Sequence, residues 1–267
     1  MKKIVLLFNL IFLSATSMYS KNVVQISIPK TGTHLLMKCI ESLTGLQQWV
    51  SKPDRWQITP ERFRYLSQNI KYWPNHLFFN QEFTSYLNNN KNAFFLTFRD
   101  PRDQVVSFAF GFHSGGLAKK LSFNQLLMAL ITDDKTYNLI GPAYKYLAPL
   151  KNKNIKNINE FYQKYIPWLY APYICAIRFE DLIGPKGGGT LEAQLETMKK
   201  IAVHLGISLT EDQLLEKANS LFGGTWTFRK GQIGSWKKHF TEEHKAAFKE
   251  VAGQMLIDLG YENSFDW

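Results

Sequence analysis

The chain has 267 residues, 45% hydrophobic and 15% aromatic, which suffices for one large core. Its net charge of +10 suits an anionic partner, but Lys and Arg are spread without a continuous basic block, which speaks against nucleic acid. Two cysteines, Cys39 and Cys175, sit in apolar surroundings without metal-ligand spacing, so buried thiols are the default reading and a disulfide framework is not indicated.

Lys2 and Lys3 precede an apolar run, Ile4 to Leu13, and then Ser14-Ala15-Thr16-Ser17. Charged start, short apolar stretch and small residues form a secretory signal pattern over residues 1–20, with cleavage after Ser17. The apolar run is about half of what a bilayer span needs. The plainer alternative is a first buried element of the fold, and any membrane association would rest on this segment alone.

From Val23 the chain alternates strand and helix patterns. Val23 to Ile28 is apolar and β-branched; it ends in Pro29-Lys30-Thr31-Gly32-Thr33-His34, after which Leu35 to Leu43 reads as a helix. Ala93 to Phe98 repeats the arrangement, breaking at Arg99-Asp100-Pro101-Arg102-Asp103 before a helical run from Gln104. Tyr173 to Phe179 is a third strand. Gly187-Gly188-Gly189 reads as an exposed turn opening a helix from Leu191 to Leu205, and Glu242 to Leu259 as a final amphipathic helix. Residues 111–170 mix short helical patches with Lys/Asn-rich stretches (Lys151 to Asn159) and read as a variable insert or lid. Without an internal repeat or second core, the expectation for residues 21–267 is a single α/β domain with a mostly parallel central sheet flanked by helices.

In such a sheet the ligand crevice lies at the carboxyl ends of the strands. A strand, a short Gly/Thr loop and a helix aim backbone N–H groups and the helix dipole at that crevice, a cradle for phosphate. Lys30 adds a mobile charge, Gly32 permits close approach, and Thr31, Thr33 and His34 offer side-chain hydrogen bonds. The loop lacks the ATP/GTP pattern GxxxxGK followed by Ser or Thr, because Lys30 precedes the glycine. Arg99 at the second strand end and Ser107 in the next helix can hold a second phosphate; the alternative is an Arg–Asp pair at a helix start, a role that also fits Arg102. Residues 226–240 crowd cations, aromatics and two glycines, Gly231 and Gly234, into a segment too irregular for regular structure, which reads as an anion grip.

These segments carry a resemblance. Pro29-Lys30-Thr31-Gly32-Thr33 resembles the PKSGT-type 5′-phosphosulfate loop of sulfotransferases, and Arg99 to Asp103 with Ser107 resembles their 3′-phosphate motif. Arg229-Lys230-Gly231 with Gly234, Trp236, Lys237 and Phe240 is similar to the RKGxxGxWKxxF signature of the cytosolic-type enzymes, and Arg178-Phe179-Glu180-Asp181-Leu182 to their YEDL-like segment. The resemblance implies a sulfotransferase domain with a P-loop-kinase-like fold and 3′-phosphoadenosine 5′-phosphosulfate (PAPS) as sulfuryl donor, leaving 3′,5′-adenosine bisphosphate, without a metal. It implies that Lys30 and the backbone of Gly32 and Thr33 bind the 5′-phosphosulfate. Arg99, Ser107, Arg229, Lys230 and the Gly231 amide would bind the 3′-phosphate. His76, in Pro74-Asn75-His76-Leu77, matches the place of the general base, and Lys30 would stabilise charge on the leaving phosphate.

The sequence departs from the family pattern at three places. Leu35 replaces the aromatic that usually stacks on adenine, Phe179 replaces the tyrosine of the YED segment, and Pro74 replaces a common lysine. Trp226 or Phe228 could cover the adenine instead, or belong to the core. Aromatic residues of 44–75 and 111–170 (Trp49, Trp56, Tyr65, Tyr72, Trp73, Phe110, Phe112, Tyr144, Tyr146) suit a pocket for a flat or apolar hydroxylated small molecule, and equally a core. A nucleotide kinase of related fold and a non-catalytic nucleotide binder remain the alternative functions. The signal-like start points to export, whereas PAPS supply points to the cytoplasm.

Overall fold

Alternating buried positions organise the central sheet. The structure, a computed structural model, describes residues 21–47, 58–88, 91–114, 121–132, 155–225 and 228–267. The signal-like segment therefore lies outside the described residues. β1 (Asn22–Ser27) and β3 (Asn92–Phe98) are buried on both faces, as expected for central parallel strands. Val24, Ile26, Phe94 and Leu96 face one apolar layer, whereas Val23, Ala93 and Phe95 face the other. β2 (Tyr72–Asn75) and β4 (Ile174–Arg178) complete the order β2-β1-β3-β4, with every pairing parallel. The expected α/β architecture holds.

Among the described residues the α-helices, in chain order, are α1 (Thr33–Thr44), α2 (Pro60–Asn69), α3 (Pro101–Ser114), α4 (Phe123–Thr132), α5 (Ile158–Gln163), α6 (Ile166–Leu169), α7 (Phe179–Leu182), α8 (Leu191–Leu205), α9 (Glu211–Leu221) and α10 (Glu242–Asp258). α1, α8 and α9 cover one face of the sheet with Leu36, Ile40, Met198, Ile201 and Leu214. α2 to α6 and α10 cover the other with residues such as Phe63, Val106, Leu127, Phe161 and Phe248. Four helices start on a threonine whose hydroxyl accepts a first-turn amide: Thr59, Thr190, Thr210 and Thr241. α1 starts instead on Gly32, with no side-chain cap and no acidic residue in its first turn.

The reading of residues 111–170 as an insert or lid is corrected for the part that is described. Leu127, Leu130, Phe161, Tyr162, Tyr165 and Trp168 are fully buried. Asn157, within the Lys/Asn-rich stretch, caps α5 by accepting the Glu160 amide. Burying each large aromatic side chain stabilises by about 1.5–3 kcal/mol, so this segment is part of the core. Residues 115–120 and 133–154 lie outside the described residues. The glycine turn also differs from its reading: Gly187 is buried, and Gly188 is exposed.

Candidate functional site

Because all four strands among the described residues are parallel, their carboxyl ends meet at one edge, where the chain leaves as Ile28–Gly32, His76, Arg99 and Phe179. The first loop is tied down by hydrogen bonds. The Thr31 hydroxyl donates to the Ile28 carbonyl at 2.6 Å and lies against Thr97, so that group is engaged inside the fold. Gln104 of α3 donates from Nε2 to the Pro29 carbonyl at 2.6 Å, joining this loop to the next. Lys30 takes a left-handed backbone with φ +70°. Gly32 has φ +97°, and a Cβ there would sit 2.6 Å from the Phe179 ring. Gly32→Ala should thus destabilise the fold by about 1–3 kcal/mol from backbone strain alone. An unchanged midpoint in urea unfolding would contradict this. Thr33 and His34 form the first turn of α1 and are half-buried. Helix geometry turns first-turn amides and the positive dipole end toward the crevice.

Arg99 is held from several sides. Its guanidinium lies 4.2 Å over the Phe179 ring, and Nη2 donates to Asp103 Oδ2 at 3.1 Å and to the Gln232 carbonyl at 2.7 Å. Tyr162 donates its hydroxyl to the Arg99 carbonyl at 2.9 Å. The residue is only 8% exposed, and its Nε is buried with no hydrogen-bond partner among the described residues. A buried charged donor left unpaired is costly, and an anion is what satisfies it. Ser107 stands one turn beyond Asp103 on the same side of α3 and is half-buried. Arg102 has a structural post: it pairs with Asp100 and Glu262 and lies between the Trp236 and Trp267 rings.

The segment from Phe228 to Phe240 closes the far side. The Arg229 guanidinium stacks 3.8 Å over Phe110 of α3, and Lys230 is exposed. Phe228 is partly exposed and packs edge-on against Phe222 at 5.1 Å, and Gly231 has φ +57° with Phe228 where a Cβ would go. Trp226 lies outside the described residues. Ile233 donates its amide to the Gly187 carbonyl at 2.9 Å, and Gln232 reaches the Lys186 carbonyl at 2.8 Å. Trp236 and Phe240 are buried in the core.

Three cations therefore crowd one mouth. Burial lowers the Lys30 pKa, and the fields of Arg229 and Arg99 lower it further. Burial also lowers that of Arg229, followed by the field of Arg99, with Asp103 opposing. An anion bound here would raise the Lys30 pKa again, so binding takes up a proton as pH rises through the free-state value. Bisphosphate affinity should accordingly fall with rising pH before an ordinary lysine would titrate, and Lys30→Arg should flatten the profile in titration calorimetry. A wild-type profile flat to the ordinary lysine range would contradict this.

His76 follows β2 on the other side of the loop. Its Nδ1 lies 2.7 Å from the Ser27 carbonyl, and a carbonyl only accepts, so this nitrogen carries the proton and the neutral ring keeps its lone pair on Nε2. Tyr165 donates to the His76 carbonyl at 3.1 Å, and Trp168 to that of Leu77 at 3.1 Å. The other histidines differ. His204 packs on Phe95, His244 caps α10 and meets the Asn124 carbonyl, His113 is exposed, and His239 lies against Phe110.

Sequence reasoning missed the supports: Asp103, Gln104, Tyr162, Tyr165 and Trp168 all bond to backbone far away in the chain. Only the aromatic density of 161–168 could have signalled a core. Of the aromatics proposed for an acceptor pocket, Tyr72, Trp73 and Phe112 are core, and Tyr65 is exposed. Phe110 supports Arg229. Trp49, Trp56, Tyr144 and Tyr146 lie outside the described residues. Leu35 is buried in the layer beneath α1.

No family model matches the chain. It is 30% identical over 195 residues to mouse sulfotransferase 6B1, a match covering 65% of this chain and 55% of that protein. It is 23% identical to mouse sulfotransferase 2A6, covering 89% and 85%, and 24% identical to rat sulfotransferase 2A1, covering 86% and 83%. Among solved structures, mouse sulfotransferase SULT7A1 complexed with PAP superposes with a TM-score of 0.58 at 16% identity, covering 91% of this chain and 87% of that one. Retinol dehydratase in complex with androsterone and inactive cofactor PAP gives 0.57 at 15%, covering 91% and 83%. The two superpositions establish a sulfotransferase fold. The sequence relatives are sulfotransferases too, so both comparisons point to the same kind of protein, and the match to sulfotransferase 6B1 spans about half of that protein's length.

Proposed function

We propose that this protein transfers a sulfuryl group from PAPS to the hydroxyl of a small acceptor, with His76 as general base. The observation that carries the donor reading is Arg99: a guanidinium more than nine-tenths buried, fixed on three sides, whose Nε has no partner among the described residues. Burial and then the fields of Arg229 and Arg99 lower the Lys30 pKa, and burial and then the field of Arg99 lower that of Arg229, so the site favours a ligand with more than one anionic centre. The donor, when bound, supplies an activated sulfuryl group on a phosphate leaving group. Lys30 and the first-turn amides of α1 would hold that end. Arg99, Ser107, Arg229, Lys230 and the Gly231 amide would hold the 3′-phosphate, with Phe228 available at the adenine.

His76 suits a proton acceptor because the Ser27 carbonyl fixes its tautomer with Nε2 unprotonated. The anchored loop carrying it limits the motion that would blur its aim, since its backbone carbonyl is bonded to Tyr165. The deciding experiment is transfer of labelled sulfate from PAPS to a panel of phenolic and aliphatic alcohols in the presence of EDTA. Labelled product for at least one acceptor class is expected. Absence of transfer to any acceptor, with intact bisphosphate binding, would leave a nucleotide binder, and transfer of phosphate from ATP with magnesium would mean a kinase.

A further inference from the structure

Asp103 is fully buried at its side chain and accepts from three donors on two segments. Oδ2 takes the Gly234 amide at 2.9 Å and Arg99 Nη2 at 3.1 Å, while Oδ1 takes the Trp236 amide at 2.9 Å. Gly234 and Trp236 open the short 3-10 turn Ser235–Lys238, immediately after the cationic segment that carries Arg229. One carboxylate thus joins the start of α3, the buried arginine and the closing segment. Arg99 adds a second tie to that segment through the Gln232 carbonyl at 2.7 Å.

We propose that Asp103 is a positioning residue that latches the 229–236 segment against α3 before nucleotide arrives and fixes Arg99 in the pose that reads a 3′-phosphate. The specificity part rests on the reading of this site as a 3′-phosphate clamp. A carboxylate is needed because both of its oxygens must accept. An amide in its place has one accepting oxygen, and its NH2 group would face a backbone N–H or the guanidinium. The closing segment is thereby pre-organised rather than ordered by its ligand, which lowers the entropic cost of binding.

The test compares Asp103→Asn with wild type in two ways. Trypsin cleavage after Lys230, Lys237 and Lys238, mapped by mass spectrometry in ligand-free protein, should be about tenfold faster in the variant. Affinity for 3′,5′-adenosine bisphosphate should fall about tenfold to a hundredfold, with ADP affinity unchanged. Asp103→Glu keeps the negative charge beside Arg99 but moves it off the two amides. It should show the same faster cleavage and guards against loss of fold in the first variant. Unchanged cleavage in both variants overturns the latch. Equal loss of affinity for both nucleotides, together with a lowered melting temperature, overturns it too, because it would show a merely structural role. If wild type itself fails to prefer the bisphosphate over ADP, the phosphate reading falls while the cleavage comparison still decides the latch.

Discussion

His76→Ala is expected to abolish most turnover, lowering kcat by about 10²- to 10⁴-fold, while bisphosphate affinity stays near the wild-type value. The reason lies in geometry. The Ser27 carbonyl at 2.7 Å assigns the ring proton to Nδ1, so in the proposed role Nε2 is the nitrogen that would accept the proton of an acceptor hydroxyl. The imidazole meets the Ser27 carbonyl at the end of β1, whereas the residues proposed for the 3′-phosphate hang on Arg99, Asp103 and the 229–236 segment, so losing the ring should leave that proposed site intact. A single-turnover assay with saturating donor separates the two effects. Retained turnover in the alanine variant would mean that the base lies elsewhere, and His34 in the first turn of α1 would be the next residue to test.

Arg99→Ala should be the most damaging change on the binding side. It removes the positive partner of a fully buried carboxylate and leaves the Gln232 carbonyl without its donor. Breaking a buried pair by removing one partner costs about 3–5 kcal/mol. The Gly234 and Trp236 amides still bond Asp103, which limits the loss to the lower part of that range. The variant should unfold at a clearly lower urea concentration and show no preference for bisphosphate over ADP. A variant that unfolds with wild-type midpoint and still selects the bisphosphate would remove Arg99 from the centre of the site.

The shape of the loop expected to cradle phosphate was legible because it is set locally. Lys30, Gly32 and Thr33 stand between a β-branched strand and a helix, and the positive φ of Gly32 is a constraint that glycine announces in sequence. β2 was harder to read. Its Trp73-Pro74 pair breaks the usual strand pattern, and Pro74 is tolerated because β2 is the edge strand of the order β2-β1-β3-β4. The supports of the site were not legible. Asp103 bonds to amides 131 and 133 residues away, and Tyr162 and Trp168 bond to backbone 63 and 91 residues away, so no local period reports them. For the same reason residues 155–169 looked like an insert, although their aromatic side chains form the floor under His76 and Arg99.

The central claim is that this site reads a ribose 3′-phosphate, and thermal unfolding with 3′,5′-adenosine bisphosphate and with ADP tests it most directly. A ligand at about 100 times its dissociation constant adds about 2.7 kcal/mol to stability, enough for a clear rise in melting temperature. The bisphosphate should produce that rise, and ADP at the same concentration should produce little. Equal shifts with the two nucleotides would contradict the account.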